Sequence, residues 1–143
     1  MTASRFGGLE VIAREPTEAA RPTPLLFVHG AYAAAWCWEE HFLDFFAAAG
    51  YPSYAVSLSG HGTSRGRDRL DSFGIDHYVD DLREVAAALQ AAPVLVGHSM
   101  GGMVAQKYLE QASGAGLVLM CSVPPQGLWA AALGLAFQKP GLM

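Results

Sequence analysis

The run Val94-Leu95-Val96-Gly97-His98-Ser99-Met100-Gly101-Gly102 constrains this chain more than any other. Three strand-forming residues lead directly into a serine that has a glycine two positions before it and another two positions after it, and Met103 to Gln111 then reads as a helix. A chain that passes from strand to helix in so few steps forces the residue at the apex into a sparsely populated backbone region. Gly97 and Gly101 remove the Cβ atoms that would collide around it. A serine ahead of a helix often does no more than cap it. The paired glycines argue instead for a hydroxyl held out for use.

The remaining apolar runs show what such a turn is built into. Leu25-Leu26-Phe27-Val28, Ser53 to Leu58, Val94 to Val96 and Gly116 to Ser122 are short and bounded by turn residues, as strands buried on both faces of a sheet should be. Leu9 to Ala13 reads as a first strand. Between the strands, Trp38, Phe42, Phe45, Phe46 and Ala49 recur at helical spacing and Gly50 with Pro52 ends the helix. With Trp36, the four aromatic residues of that stretch are expected to fill the core. Tyr78, Leu82, Val85 and Leu89 form one stripe on a further helix, with Asp76 as its expected cap and Asp80, Asp81, Arg83 and Glu84 largely outward.

Strand and helix alternate without internal repeat, which predicts an α/β fold with a mostly parallel sheet, helices on both faces and right-handed crossovers. Residues 1–127 are expected to form the core. Residues 128–143 begin a separate apolar, alanine-rich helix.

Composition narrows the function classes. At 143 residues the chain suits one domain, and its net charge of −4 leaves no basic footprint for a phosphate backbone. The short Arg65, Arg67, Arg69 cluster is interrupted by Asp68, so nucleic acid is not an expected partner. Gly60-His61-Gly62 lacks the lysine and the spacing of a phosphate loop, and no metal-ligand spacing occurs. Neither a cofactor nor a metal is expected. Cys37 and Cys121 stand in apolar runs and read as buried free thiols of a reducing compartment. The N-terminus carries Arg5, Glu10, Arg14 and Glu15 and does not read as a signal peptide, which makes the expected location cytoplasmic. The apolar run Leu128 to Phe137 is too short to span a bilayer.

A serine hydroxyl is a weak nucleophile, so chemistry at Ser99 needs a base and donors for the oxyanion it generates. The first N–H groups of a helix have no internal partner and lie at the positive end of its dipole, which makes the Met100 N–H one candidate donor. The turn His29-Gly30-Ala31-Tyr32 follows a neighbouring strand, and the Ala31 N–H is the second candidate. Tyr32 and Trp36, close to that turn, are candidates for lining a pocket. His29 and His61 read as loop-stabilising residues. His98 reads as a histidine packed or hydrogen-bonded beneath the turn, and the segment from Arg65 to Asp71 as a solvated loop.

Together His29-Gly30, Gly60-His61-Gly62 with Ser64, and Gly97-His98-Ser99-Met100-Gly101-Gly102 make the chain, from about Leu25 to Val123, resemble the α/β-hydrolase family. The branch is that of small esterases, C–C hydrolases and cofactor-free haloperoxidases. The resemblance implies Ser99 at the end of a central strand, an oxyanion hole at Ala31 and Met100, and a cap inserted after the strand that ends at Ser122. Residues 128–143 then begin that cap. The family order is serine, acid, histidine. Here all five histidines (29, 41, 61, 77 and 98) precede Ser99, and Glu110 is the one carboxylate side chain after it. The expectation is the N-terminal part of a serine hydrolase for carboxylic esters or related acyl compounds, inactive as these 143 residues alone. The last strands, the cap, the acid and the histidine would lie beyond them. The alternative is a shortened, non-catalytic protein that binds a ligand or a partner chain, with that chain or a second copy covering the open edge of the sheet.

Overall fold

The computed structural model describes residues 2–129. The chain opens with a hairpin of β1 (Thr2–Phe6) and β2 (Leu9–Arg14), joined by Gly7 and Gly8 at φ 56° and 90°. Both turn residues need positive φ, which glycine adopts without a Cβ clash. The sheet continues with β3 (Leu25–Val28), β4 (Ser53–Val56), β5 (Val94–His98) and β6 (Gly116–Met120), in the spatial order β1-β2-β4-β3-β5-β6. The first pairings, β1 with β2 and β2 with β4, are antiparallel; β4, β3, β5 and β6 run parallel.

Side-chain alternation sorts the central strands between two packed layers. Leu26 and Val28 of β3, with Val56 and Leu95, face α3 (Ile75–Ala88) and α4 (Met100–Leu109) through Tyr78, Leu82, Val85, Val104 and Tyr108. Leu25 and Phe27 point the other way, with Ala55 and Val96, onto Trp38 and Leu43. Phe27 centres this second layer, its ring 5.2 Å from Trp38, 5.8 Å from Phe46 and 6.1 Å from Phe42.

Several expectations need correction. The segment between β3 and β4 is not one helix: a single turn, α1 (Trp36–Trp38), passes into a π-helical turn over Glu39–Leu43 and then into α2 (Asp44–Ala48). The wide turn inserts an extra residue per turn and shifts which side chains meet the sheet. Phe42 and Phe46 pack inward, while Phe45 is 66% and Trp36 62% exposed rather than buried. Helix α3 starts from Gly74, with Asp76 exposed in its first turn instead of capping it. The hairpin strand β1 was not anticipated, although Gly7-Gly8 is the dipeptide that such a turn favours. Cys121 is exposed and Cys37 half-buried, so neither is the fully buried thiol expected.

Parallel pairing brings the C-terminal ends of β3, β4, β5 and β6 to one edge of the sheet, as the registers Val28 with Val56, Val28 with Gly97 and His98 with Met120 show. Strand β6 is the last in the order, and Leu117, Val118 and Leu119 are 36%, 47% and 45% exposed. The expected helix from Leu128 onward lies almost wholly in residues 130–143, outside the described residues. Among the described residues, no helix is long and apolar enough to cross a membrane.

Candidate active site

Ser99 stands between β5 and α4 with φ 51° and ψ −116°, the strained conformation expected of a strand-to-helix apex. Backbone bonds fix it from both sides. Its N–H donates to the Met120 carbonyl at 3.0 Å, and its own carbonyl accepts from Gly102 at 3.1 Å and Val123 at 3.0 Å. Ser99 makes no side-chain capping bond to α4, so its hydroxyl is not spent on the helix. The local packing explains the glycines. A Cβ at Gly97 would lie 2.6 Å from the Gly101 carbonyl oxygen and from the Gly102 Cα, and one at Gly101 would overlap the carbonyl oxygens of Val28 and His29.

The contact at Gly101 shows that the loop after β3 crosses directly over the start of α4. Gly30 completes it: a Cβ there would lie 3.2 Å from the Ser99 Cβ and 2.9 Å from the His98 Nδ1. Gly30 and Ser99 are thus in contact, and their immediate successors in the chain are Ala31 and Met100. Met100 opens α4, where an N–H has no carbonyl one turn back within the helix. Ala31 sits in the exposed turn. His98 packs its ring against Gly30, as a packed histidine was expected to, but is exposed at the side of the apex rather than beneath it.

His29 is fully buried and holds the crossing loop. Its Nε2 accepts the Leu58 N–H at 3.0 Å, so Nδ1 carries the proton and donates to the Gly30 carbonyl at 2.7 Å. Burial pushes its pKa down to about 4, the neighbouring His61 acting in the same direction. The His61 ring lies 4.8 Å from that of His29 and 5.8 Å from Tyr78, with Nδ1 3.0 Å from the Ser59 carbonyl. Both histidines therefore stabilise loops, as expected.

The loop after β4 is tied down by groups that sequence reasoning missed. The Ser57 hydroxyl donates to Glu10 at 2.5 Å and accepts the Ala35 N–H at 2.9 Å; the Ser64 hydroxyl donates to the Ser57 carbonyl at 2.6 Å and accepts the Glu10 N–H at 2.9 Å. Asp81, expected outward, is 2% exposed. Its carboxylate accepts from the Ser59 N–H at 2.7 Å, the Ser59 hydroxyl at 2.8 Å and Arg65 at 3.1 Å. Arg65 also pairs with Glu84 at 2.8 Å, and Arg67–Ser72 forms 3₁₀ turns, so this stretch is exposed to solvent as expected but ordered rather than an irregular loop. Behind the apex, Gln106 Nε2 reaches the Gly102 carbonyl, the Ser122 hydroxyl and the Val123 carbonyl at 3.0 to 3.1 Å, fixing the loop after β6. A polar residue on the inner side of α4 was the available signal.

Between the loops after β3 and β4 lies an open cleft of about 370 Å³, to which Tyr32, Trp36, His61, Arg67 and Leu70 contribute. Tyr32 is fully exposed and, at φ 61°, is a second non-glycine residue in the left-handed region.

Comparison with known proteins agrees with this architecture. A sequence profile described as the alpha/beta hydrolase family matches residues 25–143. A pheophorbidase of Raphanus sativus is 39% identical over 79 residues, covering 54% of this chain and 29% of that protein. Methylesterase 3 of Arabidopsis thaliana is 33% identical over 89 residues, covering 61% and 34%. A crystal structure of a probable hydrolytic enzyme from Pseudomonas aeruginosa superposes with a TM-score of 0.70 at 27% identity, over 80% of this chain and 37% of that one. The chain thus spans about a third of the length of the relatives it matches. With the profile matched over most of its length, the chain belongs to the α/β-hydrolase family.

Proposed function

We propose that Ser99 is the nucleophile of a serine hydrolase for carboxylic esters or related acyl compounds. The observation that carries this reading is a strained serine whose hydroxyl makes no capping bond, at the mouth of α4 and against the Gly30 turn. In the reaction, the Ser99 Oγ adds to the acyl carbon and its proton passes to a base. The carbonyl oxygen becomes an oxyanion that accepts from the Met100 and Ala31 N–H groups. Collapse expels the alcohol, which takes the proton, and water hydrolyses the acyl-serine by the same steps. One relative, Methylesterase 3 of Arabidopsis thaliana, is named for ester hydrolysis, which supports an ester as the substrate class, while another, of Caenorhabditis elegans, is named an epoxide hydrolase.

No histidine follows Ser99, and His29 is spent on the Leu58 N–H and the Gly30 carbonyl. In this reading the base and its orienting acid come from outside these residues, where a cap and further strands would also belong. Loss of the base alone costs on the order of 10⁶ in turnover in a serine hydrolase, with roughly 10³ to 10⁴ over water left to oxyanion donors and binding.

The test uses the 143-residue chain with 4-nitrophenyl acetate. Slow acetylation at a single residue, mapped by peptide mass to Ser99 and absent from Ser99→Ala, is expected, without measurable turnover. Acetylation that maps elsewhere, or persists in the variant, refutes the assignment. Multiple turnovers that depend on Ser99 would show that the chain holds its own base. An inert Ser99 in a chain that forms a discrete dimer would favour the non-catalytic binding protein, for which the exposed face of β6 is the specific observation.

A further inference from the structure

We infer that the cleft between the loops after β3 and β4 binds the ring-bearing part of an anionic substrate, a carboxylate carried on an aromatic or conjugated system. This rests on the reading of Ser99 as an acyl-transfer nucleophile and specifies the substrate it receives. Two aromatic side chains contribute to the cleft and neither is held there by the core. Tyr32 is 100% and Trp36 62% exposed. Tyr32 also occupies left-handed backbone space that a glycine would enter without strain. A residue that is strained in its backbone and unburied in its side chain contributes little to the fold, and such residues cluster at ligand sites.

The other wall is supplied by the loop after β4. Gly66, at φ 80°, turns the chain so that Arg67 returns toward Gly62, and Arg67 Nη1 donates to the Gly62 carbonyl at 3.0 Å. That bond uses one of five N–H donors and anchors a planar cation on the same cleft to which the two aromatic side chains contribute. Leu70 packs on Gly60, and His61 is anchored through Ser59. The carboxylate nearest to Gly62 is Glu10, which already accepts from the Ser57 hydroxyl at 2.5 Å and from the Thr63 hydroxyl at 2.8 Å. Asp68 and Asp71 share the turn with Arg67 but do not line the cleft. A volume of about 370 Å³ suits a small fused-ring ligand. Rings stack on Tyr32 and Trp36, and a carboxylate pairs with the guanidinium fork. Tyr32 follows by two residues the Gly30 that touches Ser99, while Ser99 itself does not line the cleft, so the ring-binding part of the site is set apart from the reacting hydroxyl.

The test is calorimetry of the 143-residue chain with 2-naphthoate and with the neutral 2-naphthylmethanol. Naphthoate should bind more tightly. Arg67→Met should weaken naphthoate at least tenfold and change naphthylmethanol by less than twofold, and Tyr32→Ala should weaken both, with circular dichroism confirming that each variant is folded. Equal affinity for the two ligands, or naphthoate binding that survives Arg67→Met, overturns the proposal, as does an absence of naphthoate binding at millimolar concentration. Acetylation of Ser99 in the same preparations separates this claim from the one it rests on. Arg67-dependent binding without acetylation sustains the cleft and sinks the nucleophile, while acetylation without binding does the reverse.

Discussion

At the scale of single residues, the apex is a place where backbone strain is kept because the surroundings leave no alternative. Ser99 is held at φ 51° by bonds to Met120, Gly102 and Val123. Glycine adopts that geometry freely, whereas alanine inherits the strain. Ser99→Gly should therefore be more stable than Ser99→Ala by about 1 kcal/mol, even after allowing for the extra freedom glycine gives the unfolded chain. Urea unfolding of the two variants measures this, and equal midpoints would mean that the apex stores no strain. Gly101→Ala tests the opposite face of the same design. Its Cβ would press on two carbonyl oxygens of β3 and the loop after it, backbone atoms that cannot swing aside. A loss of about 2–4 kcal/mol is expected in the same assay.

At the scale of elements, two buried polar residues connect loops that otherwise have no shared core. Asp81 pins the loop after β4 to α3 by accepting from Ser59 twice and from Arg65 once. Asp81→Ala leaves the Ser59 N–H unsatisfied beneath the cleft and should cost about 3 kcal/mol, with Asp81→Asn costing less because an amide oxygen still accepts. His29 links the same loop to the turn at Gly30. Its pKa is about 4 in the folded protein against 6.5 for a free imidazole, so between those values the unfolded chain binds the extra proton. The stability this confers is complete above pH 6.5 and is lost as pH falls toward 4, about 3 kcal/mol in all. Urea midpoints of the wild type and of His29→Gln at pH 7.5 and pH 4.5 should converge on the acid side. A difference that stays constant with pH would contradict this account.

Those two residues also show what could be read from the chain before its structure. The parallel strands, the apex and the contact between the Gly30 turn and Ser99 were legible because apolar runs and glycine placement are local signals. His29 and His61 were recognisable as loop supports for the same reason. Asp81 was not, since a helical stripe marks it as a neighbour of other acidic residues and only the tertiary arrival of Ser59 makes burial affordable. The π turn at Glu39–Leu43 was equally hidden. Aromatic spacing alone cannot distinguish a regular helix from one carrying an extra residue, so Phe45 was placed in the core and stands in solvent.

At the scale of the whole molecule, the two edges of the sheet differ among the described residues. The β1 edge is a short hairpin strand, whereas β6 shows a row of apolar side chains and an unpaired set of backbone groups among the described residues. Leu117 and Leu119 point to one face and Val118 and Met120 to the other, so β6 cannot turn a single greasy side inward. An exposed apolar edge of this kind pairs with another chain unless something covers it. The 143-residue chain is therefore expected to associate as its concentration rises from micromolar toward millimolar, visible as a growing mass by light scattering. Val118→Lys, placed opposite Val96 in the register, should restore the monomer by putting a charge into the pairing surface. A wild type that remains monomeric throughout that range, or a variant that associates as strongly, would show that β6 is not the surface that drives it.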